Sequence, residues 1–344
     1  MSSLGPRVLD AETERALRDS YEVANTVERD VPQPLVSVRT ITYQHGAFIR
    51  DCIEGVLRQE VDFPFEYFIG EDCSTDGTRE VAFDYAARYP SRIRLVTADR
   101  NVGFRANGMR TLVRMRGKYM ALCEGDDYWI DPRKLADQVA MLEADPTMSA
   151  CVSDAWNETE GVRTPFSEEL ERLAREKGFL ERKDLLVSNI VPTASIVLRT
   201  SMLVPQQAKH GQAPAGDWLL LIRLAGQGRI GILPRKTTVR RRHAGGLISQ
   251  KDDLTKAIFT LRCLVVIRRM VPHAERRIVV RRYGELNRYA LERAYQVGGA
   301  AEGRKVWAEF GGTGLGLRQC IRWWMLLRLP VIMRGLTALR GRAA

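Results

Sequence analysis

Between residues 35 and 123, short runs rich in β-branched and aromatic residues alternate with segments whose apolar residues recur at helical spacing. No other feature restricts the chain as much. "LVSVRTITY" (35–43) nearly alternates and reads as a strand, while "AFIRDCIEGVLRQ" (47–59) sets Phe48, Ile49, Cys52, Ile53, Val56 and Leu57 at helical intervals. The cycle repeats through "FEYFIGED", "STDGTREVAFDYAARYP" (capped by Ser74 or Thr75), "IRLVTA", "NGMRTLVRMR" and "KYMALCE". Such alternation implies an α/β fold with a mostly parallel, doubly wound sheet and helices on both faces. Further on, "RKLADQVAMLEADP" reads as an amphipathic helix and "SACVSDAW" as a strand. Residues 157–190 read as a charged loop-and-helix excursion, "TASIVLRTSML" as strand again, and "GDWLLLIRLAGQG" as a helix ending at Gly226 or Gly228. Residues 1–34, polar and helix-prone up to the prolines of "VPQP", read as an N-terminal extension.

In open α/β sheets, ligands bind beyond the carboxyl ends of the strands. The loops there are "TYQH", "EDCSTDGT" and "EGDDYW". The third places Glu124, Asp126 and Asp127 together, an arrangement costly by mutual repulsion unless a cation sits among them. A hard divalent ion such as Mn²⁺ or Mg²⁺, completed by substrate phosphates, removes that cost. A Gly-Asp turn with Asp127 as a cap is the plainer alternative. Asp72 can accept from a base N–H or a ribose hydroxyl, Asp76 and Gly77 have the chemistry of a turn, and Tyr43 offers a nucleobase a flat face or simply packs. Neither G-x-x-x-x-G-K-[ST] nor a strand-turn-helix G-x-G-x-x-G occurs, so P-loop and dinucleotide folds lack support.

"VSVRTITYQHGAFIRDCIEGVLRQ", "FIGEDCSTDGT", "NVGFRAN" and "LCEGDDYWIDPRKLADQ", in this order and spacing, resemble the nucleotide-sugar-binding half of family 2 glycosyltransferases with the GT-A fold. A weaker likeness continues through "AGDWLLLIRLAGQGRIGILP" and "RRRHAGG". The resemblance implies a GT-A domain over 35–248, with a nucleotide-sugar half (35–155) and an acceptor half (156–248). It implies that Tyr43 and Asp72 hold the nucleoside and that "EGDD" stands for the D-x-D region, with Glu124 where Asp is more frequent. Asp126 or Asp127 then contacts the metal, Asp217 of "GDW" is the catalytic base, and His243 lies beside metal and diphosphate. As plainer alternatives, Asp217 caps a helix and His243 is a surface residue of a basic loop. The expected reaction is inverting, metal-dependent transfer from a nucleotide-sugar donor to a glycan or lipid-linked acceptor in surface polysaccharide or glycolipid synthesis. A sugar-nucleotide nucleotidyltransferase is an alternative, but "TYQHGAFIRD" lacks its Gly-rich basic loop.

Beyond 248 composition carries the reading. From residue 231 onward there are 24 Lys+Arg against 7 Asp+Glu, leaving 29 against 35 in residues 1–230. The basic region 249–344 reads as amphipathic helices divided near Pro272, and "LRQCIRWWMLLRLPVIMRGLTALRGR" (317–342) adds Trp323 and Trp324 among arginines. Its apolar run is too short to span a bilayer, and its composition suits a helix lying on an anionic membrane surface. Packing on the catalytic domain is the alternative. A nucleic-acid-binding protein is a further alternative, but no RNA-binding signature is present and no nucleic-acid partner is expected. Six cysteines without C-x-x-C spacing and an N-terminus without an apolar h-region point to the cytoplasm, with peripheral attachment to the inner face of the membrane.

Overall fold

The computed structural model describes residues 11–203, 215–246 and 251–328. The described residues fall into two compact units, one drawn from Met1–Leu185, Asn189–Gln212 and Leu220–His243, the other from Leu186–Ser188, Ala213–Leu219 and Ala244–Ala344. The boundary read at 248–249 and the stretch 329–342 lie outside the described residues.

The first unit begins with α1 (Ala11–Arg18), β1 (Tyr21–Glu22) and α2 (Val27–Asp30). The alternation read from the sequence follows: β2 (Val36–Thr42), α3 (Ile49–Leu57), β3 (Phe65–Glu71), α4 (Thr78–Arg88), β4 (Ile93–Thr97), α5 (Phe104–Leu112) and β5 (Tyr119–Leu122). Next come β6 (Tyr128–Trp129), α6 (Lys134–Ala144), β7 (Met148–Thr159), β8 (Val162–Pro165), α7 (Glu168–Glu176), β9 (Phe179–Leu180) and β10 (Val197–Arg199). Helix α8 (Gly216–Leu224), whose residues to Leu219 belong to the second unit and whose remainder belongs to the first, and the long β11 (Arg229–Arg241) follow.

All strands among the described residues belong to one sheet, ordered β1-β4-β3-β2-β5-β10-β7-β11-β6, with β8 on β7 and β9 on β11. Strands β4, β3, β2 and β5 form a parallel block, and β3 is buried along its whole length, as a strand covered on both faces must be. β10 runs antiparallel to both β5 and β7, and so joins that block to the parallel pair β7–β11. The sequence reading assigned no strand to 229–241. Pro234 interrupts that run, and the ladder shifts register between Leu233 and Lys236 and again before Thr238, which breaks the alternation a strand would show.

The second unit carries α9 (Asp253–Met270), α10 (His273–Phe310) and α11 (Leu317–Arg328). Pro272 separates the first two, as expected, and the Asp252 carboxylate caps α9 by accepting from the Thr255 N–H at 3.0 Å. Residues Gly298 and Gly299 leave helical geometry and break α10.

Beneath the sheet the core contains a fully buried lysine. Lys134 Nζ lies 4.2 Å from the centre of the Trp129 ring and donates to Gln138 Oε1 at 2.8 Å. Gln138 in turn donates to the Cys151 and Ser195 carbonyls, and Trp129 Nε1 to Ala194 O at 2.8 Å. Burial brings Lys134 down to about 7. Below that pH both folded and unfolded chains hold the proton. Between it and the ordinary lysine value only the unfolded chain does, so this residue makes stability rise with pH. The Lys134→Met variant removes that rise. In denaturant titrations at pH 7 and pH 9.5, wild type should gain roughly 2–3 kcal/mol relative to Lys134→Met. Parallel behaviour of the two proteins would show that Lys134 keeps an ordinary pKa.

Candidate active site at the strand ends

The carboxyl ends of β2, β3 and β5 are joined by their loops before any ligand is considered. Gln44, at φ 57°, and Cys73, at φ 59°, both adopt left-handed backbone, uncommon for residues with a side chain. Reciprocal bonds hold them there: Gln44 N to Ser74 Oγ at 3.0 Å, Thr75 N to Gln44 Oε1 at 2.9 Å and His45 N to Thr78 Oγ1 at 2.7 Å. Gly46 N donates to Asp76 Oδ2 at 2.8 Å, and a Cβ on Gly46 would fall 2.3 Å from the Asp76 carbonyl oxygen, so only glycine fits. Burial pushes the Asp76 carboxyl up, but the Thr78 hydroxyl and the Gly46 and Thr78 amides hold it below its ordinary value. Tyr43, 45% exposed, stands at the edge of this braced wall.

Asp72 lies deeper. Its two oxygens accept from Val102 N (2.8 Å) and Gly103 N (2.9 Å), and Arg110 Nη2 lies 3.6 Å away. Arg110 is itself buried, which lowers it to about 10 while Asp72 and Glu71 oppose the shift. Asp72 therefore fixes the 101–103 turn beside Tyr43's loop and offers little exposed oxygen.

The third loop is tied to β11. Gly125 N donates to Ile41 O at 3.1 Å, and its Cα passes so close to Thr42 that a Cβ would meet Thr42 Oγ1 at 2.4 Å. Strand β6 pairs antiparallel with β11 in the register Thr238↔Trp129 and Val239↔Tyr128. That register carries Arg241 and His243 back to the acidic residues. His243 Nε2 lies 3.1 Å from Asp126 Oδ2, and Arg241 N donates to Asp127 Oδ1 at 2.9 Å. The Arg241 guanidinium pairs with Asp51 of α3 and covers the Tyr128 ring at 4.1 Å. The His243 ring packs on Phe48 at 4.6 Å and meets His45 edge-on at 6.2 Å. Glu124 acts on Arg39, partly offsetting the lowering that burial imposes on that guanidinium.

The two aspartates are electrostatically distinct. Burial raises Asp126, but the His243 hydrogen bond and the nearby His45 more than compensate and hold it below its ordinary value. Burial, followed by the charges of Asp126 and Glu124, drives Asp127 well above the usual carboxylate range. No three His, Cys, Asp or Glu side chains converge on one point among the described residues. Asp126 and His243 do converge, giving one oxygen and one nitrogen ligand. Mg²⁺ and Mn²⁺ are commonly held through one or two carboxylates, with phosphate and water completing the shell, so the Asp126 carboxylate fits such an ion, and the imidazole nitrogen beside it suits Mn²⁺ better than the harder Mg²⁺.

Of the residues singled out from the sequence, Tyr43, Glu124, Asp126, Asp127 and His243 lie on the loops and strand ends of the first unit, with Asp72 beneath them. Asp217 stands in the first turn of α8, and its charge acts on the buried Cys263 of α9 within the second unit. His45, Asp51 and Arg241 were not read as site residues. "TYQH" and "RRRH" each displayed a basic residue at a strand end, but only the β6–β11 register brings the two together.

Residues 37–202 match the model of glycosyl transferase family 2. An uncharacterized protein of Mycobacterium tuberculosis is 36% identical over 224 residues, covering 62% of this chain and 60% of its own length. This chain thus spans about 60% of such relatives. The putative teichuronic acid biosynthesis glycosyltransferase TuaG of Bacillus subtilis is 37% identical over 97 residues, 28% of this chain and 38% of TuaG. Among solved structures, S. aureus TarS 1–349 in complex with UDP-GlcNAc superposes with a TM-score of 0.57 at 17% identity, covering 81% of each chain. Mannosyltransferase PcManGT from Pyrobaculum calidifontis, in complex with GDP-Man and Mn²⁺, gives 0.54 at 18% identity, covering 95% and 92%. At these identities the structural likeness is one of fold, the GT-A fold.

The geometry separates bracing carboxylates from a presenting one. Asp72→Ala leaves the Val102 amide without its acceptor and removes the carboxylate that lies 3.6 Å from the buried Arg110, while Gly103 N keeps Asn101 Oδ1 at 2.9 Å, and it should lower unfolding free energy by about 3 kcal/mol. Asp126→Ala, which leaves only a partly exposed histidine unbonded, should lower it by less than about 1 kcal/mol. Urea denaturation of the two variants checks this, and equal losses would contradict the assignment.

Proposed function

We propose that this chain, which carries a family 2 glycosyltransferase domain of the GT-A fold over residues 37–202, transfers a sugar from a nucleoside diphosphate donor to a hydroxyl of a glycan or lipid-linked glycan, with inversion. The observation that carries this reading is the Asp126–His243 pair, at 3.1 Å, set at the carboxyl end of the parallel block of a mixed sheet, near the braced loops 43–46 and 73–78.

In this reading Asp126 and His243 hold a Mn²⁺ or Mg²⁺ ion together with the donor diphosphate, and Asp127 steadies the strand that supplies His243. The ion, when bound, offsets the negative charge that builds on the departing phosphate. Tyr43 packs against the nucleobase, and Asp72 shapes the turn that lines it. Glu124 balances Arg39 and keeps the loop's charge close to the ribose. The acceptor oxygen forms its bond to the anomeric carbon as the bond to the donor phosphate breaks. The electron pair leaves with that phosphate, and the acceptor proton passes to the Asp217 carboxylate, a general base. With one base and no enzyme nucleophile the displacement is single, which inverts the anomeric centre.

Location at an anionic membrane face, in the synthesis of a surface polysaccharide or glycolipid, is supported by α11. No helix among the described residues is long and apolar enough to cross a membrane. Trp323 and Leu327 are buried, and Trp323 meets Tyr295 of α10 at 6.2 Å. Leu317, Ile321 and Trp324 form an exposed stripe, accompanied by Arg318, Arg322 and Arg328, and the helix contains no acidic residue. An apolar line flanked by guanidinium groups suits the boundary between anionic headgroups and acyl chains.

Three measurements test the proposal. The melting temperature should rise with one nucleoside diphosphate only when Mn²⁺ or Mg²⁺ is present, since saturation at 100 times Kd adds about 2.7 kcal/mol. Asp126→Ala should abolish that shift. Asp217→Asn should keep the shift and lower kcat by about 10²–10⁴-fold; normal turnover by this variant would remove Asp217 from the chemistry. In vesicle co-sedimentation the protein should bind phosphatidylglycerol vesicles more than phosphatidylcholine ones, and Trp324→Glu should weaken the binding severalfold. Equal binding to both vesicle types would rule out the anionic surface.

A further inference from the structure

Helices α3 and α4 begin beside the carboxylate loops and end at the other pole of the parallel block. The nine residues of α3 put about 13 Å between its two ends. At the far ends lies an open cleft of about 420 Å³ walled by Glu54, Arg58, Tyr85, Arg88, Tyr89 and Arg92, with Leu57 adding an apolar surface. Its size falls within the range of small-molecule sites.

The walls are ordered. The rings of Tyr85 and Tyr89 stack at 6.1 Å with planes 12° apart, and the Arg88 guanidinium lies 4.9 Å from one centroid and 5.6 Å from the other. Tyr85 OH donates to Glu54 Oε1 at 2.5 Å and receives Arg50 Nη1 at 3.3 Å. Arg88 is paired with Asp84 at 3.2 Å. Arg58 and Arg92 have no carboxylate partner among the described residues: Arg58 Nε donates to the Glu54 carbonyl at 3.3 Å, and Arg92 lies over the Phe65 ring at 5.4 Å. The cleft thus has three guanidinium groups against one carboxylate, beside a pair of tyrosine rings.

Each component has a matching ligand group. A guanidinium fork takes a phosphate oxygen pair, a tyrosine face takes the C–H face of a sugar ring, and Glu54 accepts from hydroxyls. We propose that this cleft is a second ligand site that takes a phosphate-bearing saccharide, its phosphate between Arg58 and Arg92 and its ring against Tyr89. The separation along α3 makes this site distinct from the carboxylate loops, and occupancy there does not depend on the transfer reaction.

The test is saturation-transfer NMR on the full chain carrying Asp126→Ala, so that binding at the carboxylate loops is suppressed. The observed probes are glucose 6-phosphate, glucose and UMP, and inorganic phosphate, which has no carbon-bound proton to observe, is added as a competitor. Glucose 6-phosphate should bind with transfer to its ring protons, and glucose should not. Arg58→Glu with Arg92→Glu should weaken binding by about tenfold or more, the scale of losing one charge-assisted contact. Tyr89→Ala should reduce the ring-proton signal, and the signal that remains should still be displaced by inorganic phosphate. Both arginines are exposed, so an unchanged melting temperature confirms that the charge-reversed protein is folded. Failure of glucose 6-phosphate to bind, or binding indifferent to the two arginines, overturns the proposal. Tighter binding of UMP overturns the saccharide assignment. A phosphodiester-linked oligosaccharide competing more strongly than glucose 6-phosphate supports the site and identifies its source as polymer, while the reverse supports it with a free metabolite as the source. Melting shifts that need Mn²⁺ or Mg²⁺ and vanish in Asp126→Ala report on the carboxylate loops, whereas the cleft is read in the Asp126→Ala background, so the two readings can fail separately.

Discussion

The hydrogen bond from the Arg241 amide to the Asp127 carboxyl holds together the parts on which the site depends. It extends a ladder of only two residue pairs, Trp129 with Thr238 and Tyr128 with Val239. A two-residue strand has little hold of its own. The side chain of Asp127 lengthens the connection by one bond, and the Arg241 guanidinium strengthens it by gripping Asp51 and covering Tyr128. In that geometry Asp126 and His243, more than a hundred positions apart in sequence, lie within hydrogen-bonding distance. The three neighbouring acids therefore divide into separate tasks: Asp127 braces, Glu124 balances Arg39, and Asp126 is presented.

Much of the parallel block was legible because each element declares its own period. β2, β3, β4 and β5 with α3, α4 and α5 lie where the apolar patterns put them, and Pro272 divides two helices as its missing N–H requires. Short or irregular pairings were not legible. β1 has two residues and β10 three, and neither can display a period. β11 has thirteen residues, but its three register shifts scramble inward and outward positions. In the site, the carboxylates were legible as a cluster and His243 through the resemblance. Their division of labour was not, because it depends on which backbone amide each oxygen meets. Asp72 shows this most clearly: it reads as an exposed acceptor in a polar loop and lies buried on the Val102 and Gly103 amides.

The interior carries a price in polar burial. Lys134, Arg110, Gln138 and Asp72 are all withdrawn from water, each held by partners that are themselves fixed. An all-apolar packing of similar volume is often as stable or more so. What the polar pairs supply is direction. Gln138 can satisfy the Cys151 and Ser195 carbonyls only when α6, β7 and the segment preceding β10 are in one alignment, which limits how the antiparallel β10 sits between the two parallel groups.

The brace between residues 43–46 and 73–78 has a consequence in time as well as in space. A loop that must fold around its ligand delays capture while it searches for the right shape, and its ordering entropy is charged against affinity. Here the two left-handed residues and their reciprocal bonds are settled beforehand. In the proposed reading a donor arriving at this wall meets a finished surface, so encounter is governed by diffusion and orientation. Differences among the molecules it accepts are then expressed in how long each one stays.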